Sequence, residues 1–382
     1  MSNTISKDIK VRLIEAQSKF EPLLAFQKNI ISNGKDNNTP YWIKYFTEES
    51  PTAGSALREY KRYTAGDVEG DEEGVVIYNN SIDSFCTQGG VFLAIKYKVR
   101  FDEEDNPEFY PCKETSHVLA YESMRKSKDL DNGDSFFYEA NWITANSAYS
   151  FNGFNAVDKS TYYPYNPDSV LDQMKRDFEE SQKDLNADKK TEFTITKGLE
   201  VYKGQVAFLN PSNMEYPLSA FYPAIGAMRT EVNADSYEAR TIGGGFMEKN
   251  LFMLSTQDSS LGKRVKEAIE TLITNPDVSS MVLSTDDLDI NIKDYLQKYE
   301  LKSQYDDKIM DNALKRAEKN IIKCANNIPA ILINPSDSVF GNSGEAFKVA
   351  EEIYSKKCEP DRNMIINFLN EKLNLNLQIK AL

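Results

Sequence analysis

Histidine is almost missing from this chain: 382 residues contain one, His117. That scarcity removes most routes to a general base working near neutral pH, and a single imidazole is a poor metal centre because such centres recruit several ligands. His117 lies in "CKETSHVLAYESM", where alternating Val118 and Ala120 read as a strand, so its expected place is structural. The four cysteines, Cys86, Cys112, Cys324 and Cys358, are widely spaced and form no C-x-x-C pair, which gives neither a zinc signature nor a disulfide framework. They are expected to be reduced packing residues. The sequence has no run of about 18 apolar residues, and "MSNTISKDIK" lacks the charged-then-apolar layout of a signal peptide, so neither a membrane span nor secretion is expected. No H-E-x-x-H and no P-loop occur; the nearest text, "SSLGKRVKEAIE", has one glycine and an arginine where the magnesium-binding hydroxyl belongs.

Acid is in excess. The formal net charge is −14 and 40% of residues are hydrophobic, so the chain builds ordinary cores while its surface opposes broad, tight binding to duplex phosphates. A protein that lets DNA slide past is still compatible with that balance. Acidic clusters at 68–74, 101–107 and 129–134 each sit beside glycine or proline and read first as solvated turns or hairpin tips. The remaining cluster, "STDDLDI", carries Asp286, Asp287 and Asp289, which would serve a carboxylate-dependent metal enzyme such as a nuclease. No cofactor and no metal site is expected.

Periodicity divides the chain into helical and β stretches. A helical block at 5–31 places Ile9, Leu13, Ala16, Phe20 and Leu24 at helical spacing, and a pair of short helices follows, split at Ser50-Pro51 and closed by Gly66. From 74 to 160 the pattern reads as β. Helix is expected at 167–186, with Val170, Leu171, Met174, Phe178 and Leu185 on one stripe, then a hairpin-like passage around Gly198 and Gly204. A long helix is expected over 214–242, with Pro217 in its first turn and Leu218, Phe221, Tyr222, Ile225, Met228 and Val232 on one stripe. It runs into three glycines, Gly243, Gly244 and Gly245. Further on, an amphipathic run begins at Asp294 and stops at Asn327 and Pro329, and two last helices are split at Pro360.

This order of parts resembles the portal proteins of tailed double-stranded DNA bacteriophages, particularly the compact type found in phages and prophages of Bacteroidetes-like hosts. The resemblance is carried by "YKGQVAFLNPSNMEYPLSAFYPAI", by "EARTIGGGF", by "NIPAILI" followed by "GNSGEAFKVAEEIYSKKCEPDRNMIINFLNEKL" with Asn342 and Glu345, by "YWIKYFTEESPTAGSALREYKRYTAGD" and by "FCTQGGVFLAIKY". It implies an α+β fold, the portal fold, with a β-rich and helical wing, a helical-hairpin stem, a small β clip and a short or absent crown. In those terms 1–166 is the N-terminal wing, 167–186 the first stem helix, 187–213 the clip, 214–242 the second stem helix, 243–335 the C-terminal wing, and 336–382 the C-terminal helices.

The resemblance also implies a homo-oligomeric ring, usually of twelve subunits, at one vertex of the capsid. Double-stranded DNA would pass through it without sequence specificity, and it would dock the terminase large subunit, the major capsid protein and a head–tail adaptor, with assembly in the bacterial cytoplasm and no membrane. Leu218, Phe221, Tyr222, Ile225, Met228 and Val232 would pack subunits together in the stem, the three glycines would hinge its exit, and Ser284, Asp286, Asp287 and Asp289 would belong to a tunnel loop within 274–291. No enzyme activity is implied. Besides the metal enzyme, the alternative is another ring-forming head–tail adaptor.

Overall fold

The computed structural model describes residues 30–34, 37–128, 135–142, 160–183, 190–243, 250–254, 296–300, 307–333 and 343–380. It is an α+β chain in two compact units. The helix expected at 5–31 lies outside the described residues up to 29.

The first unit comprises 1–42, 91–216 and 372–374 and is built on a six-stranded sheet. Its strands are β2 (Val91–Ile95), β5 (His117–Val118), β6 (Met124–Lys126), β7 (Phe137–Glu139), β8 (Ser160–Pro164) and β9 (Gln205–Leu209), in the order β5-β2-β9-β8-β7-β6. All neighbours are antiparallel except β8 and β9. Every residue of β2 is buried, as a continuous apolar run in an interior strand requires. Phe92 stacks on Phe208 of β9 with ring centroids 4.1 Å apart, and Tyr121, Met124, Phe137, Val206 and Tyr216 complete that core. The "FDEEDNP" cluster is the tip of a hairpin between β3 (Tyr97–Phe101) and β4 (Pro107–Pro111), where the Asp102 carboxylate accepts the amides of Glu104 and Asn106.

Residues 190–209 do not form the expected hairpin. They begin with a short helix α5 (Ile195–Val201) that packs against α4 (Val170–Gln182), and Phe193 meets Phe178 edge-on at 5.5 Å. Gly198 permits this approach, since a Cβ there would lie 2.7 Å from the Phe193 ring. β9 then enters the middle of the large sheet. Its strand faces were legible; its partners, β2 and β8, are remote in sequence. Of the expected α4 stripe, Val170, Met174 and Phe178 are buried and Leu171 is half-buried, while Leu185 lies outside the described residues.

The second unit comprises 43–90, 217–371 and 375–382 and is mainly helical. Helix α1 (Thr39–Glu49) contributes its larger part here, and α2 (Pro51–Ala65) opens on Ser50 as N-cap with Pro51 next and closes at Gly66, as the sequence predicts. Arg362 caps the far end of α2 by donating to the carbonyls of Thr64 and Tyr63 at 3.1 and 2.6 Å. The β reading at 74–88 is corrected: α3 spans Glu72–Gln88. Asp71 caps it by accepting Gly74 N–H at 2.7 Å, Glu72 and Glu73 occupy its first turn, and Gly89 ends it in the left-handed region. These end signals outweigh the β-branched run Val75-Val76-Ile77. A short pairing of β1 (Val68–Glu69) with β12 (Gln378–Ile379) completes this region.

Three more expectations are revised in this unit. The helix placed at 214–242 is regular only over α6 (Ile225–Gly243), after a 3₁₀ turn at Tyr222–Ala224, so the entry proline is Pro223 rather than Pro217. The run from Asp294 begins as a strand, β11 (Leu296–Glu300), paired antiparallel with β10 (Asn250–Leu254), and the helix starts later as α7 (Asp307–Ile322). After the short α8 (Ala330–Ile333), one helix, α9 (Ser343–Leu373), continues through Pro360. Proline there forfeits one backbone hydrogen bond, and the adjoining turn is fixed instead by side chains: Tyr60 O–H donates to Asp361 at 2.7 Å, beside the Arg362 contacts.

Candidate functional site

The most distinctive arrangement is a helix–strand–helix excursion inside the second unit: α6, then β10 and β11, then α7. The two helices pack antiparallel. Ala227 near the start of α6 shares a cleft of about 530 Å³ with Asn320, Lys323 and Cys324 at the end of α7. Glu231 and Asp235 further along α6 share another, of about 350 Å³, with Asp311, Leu314, Lys315 and Glu318. α7 turns a narrow stripe inward, with Ala317 and Ile321 buried and Met310 and Leu314 half-buried. Its exposed residues mix Asp311 and Glu318 with Lys315, Arg316 and Lys319, of which Asp311, Lys315 and Glu318 line the second cleft.

Two contacts fasten α6. At the first, Glu231, only 6% exposed, accepts the Ser50 hydroxyl at 2.5 Å and the Thr52 amide at 3.4 Å, while Ser50 Oγ accepts Ala53 N–H at 3.2 Å. A carboxylate from α6 therefore sits at the positive N-terminal end of α2, supplementing the N-cap. At the second, Ser219 O–H donates to Thr87 O at 2.6 Å and accepts Phe221 N–H at 3.1 Å, laying 217–221 against the end of α3. Gly89 allows it: its φ is +85°, and a Cβ would fall 2.6 Å from the carbonyl oxygen of Leu218.

The expected subunit-packing stripe is divided by this docking. Phe221 and Met228 are fully buried within the chain and are used by its own core, whereas Leu218 and Tyr222 remain 51% and 41% exposed. Ile225 and Val232 are half-buried. Gly243 is the last residue of α6. Gly244, Gly245, Ser284, Asp286, Asp287 and Asp289 lie outside the described residues. Sequence reading missed Glu231, Ser219, Gly89 and Arg362; only the Ser50-Pro51 cap gave a local signal, and that signal does not name its distant partner.

Beside the hairpin, burial keeps hydroxyls and thiols protonated. Tyr60 is driven far above its ordinary range by burial and by the nearby Cys86 and Asp361, and Tyr354 by burial and by Cys358. Tyr63 is pushed up to about 12 by burial and by its hydrogen bond to Glu351. These phenols therefore act as donors at neutral pH. Burial also raises the Cys86 and Cys358 thiols, which keeps them unreactive. His117 is exposed on β5, with Nδ1 3.2 Å from Thr115 O. Among the described residues, no group of three or more histidine, cysteine, aspartate or glutamate side chains is placed to hold a metal ion, and no helix is long and apolar enough to cross a membrane.

No family model matches the chain, and no curated protein matches it. Among solved structures, it is similar to a chain in the virion of a native gene transfer agent particle, with 11% identity, 92% of this chain and 86% of that chain covered, and a TM-score of 0.43. It is similar to a chain in the neck of the native particle computed with C12 symmetry, at 12% identity, 92% and 85% coverage and a TM-score of 0.41. A chain in the neck of the empty particle, computed with C6 symmetry, gives 12% identity, 92% and 86% coverage and a TM-score of 0.45. TM-scores below 0.5 do not establish a shared fold.

Proposed function

We propose that this protein is a portal-type ring subunit: a structural protein without an active site that conducts double-stranded DNA, with its stem built from α6 and α7. This relocates the stem from 167–186 and 214–242, and it gives the clip to the pair β10 and β11. The observation that carries the reading is the excursion itself. Two antiparallel helices within the second unit are joined by a span containing a two-stranded ladder and lead on to a long helix that continues through a proline.

Such a hairpin can stand beside its equivalents around a ring, with apolar residues covered by the neighbour and polar faces turned to the bore. Leu218 and Tyr222, exposed in the single chain in the segment just before α6, add an apolar contribution at the base of that contact. The exposed charges along α7 are mixed in sign and the chain carries a net charge of −14, so among the described residues of this helix there is no continuous basic track to grip phosphates and stall a duplex. In this role the ring sits at a capsid vertex, with the six-stranded sheet unit as wing, and meets the terminase large subunit, the major capsid protein and a head–tail adaptor.

Native mass measurement tests the assembly. The purified chain is expected near twelve times 43.4 kDa, and Leu218→Asp with Tyr222→Asp is expected to shift it to the single-chain mass while the far-ultraviolet circular dichroism is unchanged. Full-sized rings from the double variant would show that this face does not join subunits, and a wild-type monomer at every salt concentration would refute the ring.

A further inference from the structure

Helix α7 ends at Ile322, although its sequence pattern does not. The buried residues Ala317, Ile321, Ala325 and Ile328 recur at steps of four, four and three, which is helical spacing maintained almost to Pro329. Ala325 is of the residue type most favourable to helix. Yet Ala325, Asn326 and Asn327 have φ of 49°, 63° and 57°: three successive non-glycine residues wound in the opposite hand. Crowding between Cβ and the following carbonyl penalises each of them, alanine more than asparagine, and such a run persists only where its surroundings impose it.

Backbone bonds from Asn327 N–H to Cys324 O and from Ile328 N–H to Ile322 O, both 3.1 Å, close the turn locally, and α9 supplies the contacts from outside it. The buried Tyr354 hydroxyl donates to Ala325 O at 2.8 Å. Asn326 Nδ2 donates at 2.9 Å to Asp361 Oδ2, the oxygen that also accepts Tyr60 O–H. Lys357 Nζ approaches Asn326 O at 3.5 Å. We propose that residues 323–327 are a two-state hinge, left-handed while α9 holds Ala325 and Asn326, and a right-handed continuation of α7 once those contacts are broken. The second form lengthens α7 by about five residues, ~7.5 Å. A displacement of α9 is thereby converted into growth of α7, and the reverse. The hinge rests on these contacts and is independent of ring formation.

Asn327 is exposed, so glycine and alanine at this site report the hand of the backbone with little disturbance of packing. Glycine is the better residue in the left-handed region and alanine the better one in a right-handed helix. Urea unfolding midpoints of full-length Asn327→Gly and Asn327→Ala are compared in the wild-type background, in Tyr354→Phe, and in Tyr354→Phe with Asp361→Ala. The glycine variant is expected to have the higher midpoint in the wild-type background, a smaller advantage in Tyr354→Phe, which removes one of the two holds, and the lower midpoint in the doubly changed background. Should the doubly changed background fail to fold, the Tyr354→Phe comparison decides. An undiminished glycine advantage in Tyr354→Phe, or the same order in the doubly changed background, would overturn the second state, and a higher midpoint for alanine in the wild-type background would overturn the left-handed turn itself.

Discussion

At Gly89 a hydrogen in place of a methyl group decides whether residues 217–221 can lie against α3. The left-handed φ and the 2.6 Å approach to Leu218 O act together, so Gly89→Ala is expected to cost roughly 2–3 kcal/mol by urea unfolding, more than the left-handed penalty alone. A loss below about 0.5 kcal/mol would mean that the segment docks elsewhere. At this scale the sequence was partly legible. The Ser50-Pro51 cap and the Gly66 stop were readable because capping is local, and His117 was rightly assigned to a strand. Gly89 appeared only as part of a β run, because the carbonyl it accommodates comes from a residue 129 positions later.

Between elements, the bond that matters most for the hairpin runs from α6 to α2. Removing Glu231 leaves the Ser50 hydroxyl and the Thr52 amide without their buried acceptor. Glu231→Ala is therefore expected to destabilise the chain by about 1–3 kcal/mol, and Glu231→Gln, which preserves an acceptor oxygen but not the charge at the helix end, by less. Equal losses for the two variants in urea unfolding would show that the contact is steric. Element type was legible wherever periodicity was long, as in α2, α4 and α7. It failed where two signals competed: Val75-Val76-Ile77 favoured strand while Asp71, Glu72, Glu73 and Gly89 specified a helix. The "YPLSAFYP" stretch carried helical spacing at Leu218, Phe221 and Tyr222, but tertiary docking of Ser219 and Phe221 delays the regular helix to Ile225. Pro360 looked like a helix boundary because no local pattern records the anchoring of Asp361 and Arg362 that holds α9 through it.

For the whole molecule, the sequence supported an α+β chain containing a helix–β–helix excursion at 167–242, and the proposed stem places that excursion on α6 and α7 instead. The difference has one physical source. β9 has the faces of a hairpin strand, and strand faces carry no information about which strand will pair with them; β2 and β8 claim it. With β9 in the large sheet, Gln205–Leu209 serves that sheet, and among the described residues the helix pair joined by its own two-stranded ladder is α6 with α7. The ring account therefore depends on where those two helices stand in the assembled particle. Electron cryomicroscopy of the purified assembly measures this directly. The account predicts a closed ring with a central opening wide enough for duplex DNA, and with α6 and α7 of each subunit side by side around it; a map in which both helices lie within an isolated chain, with no second copy against them, would contradict it.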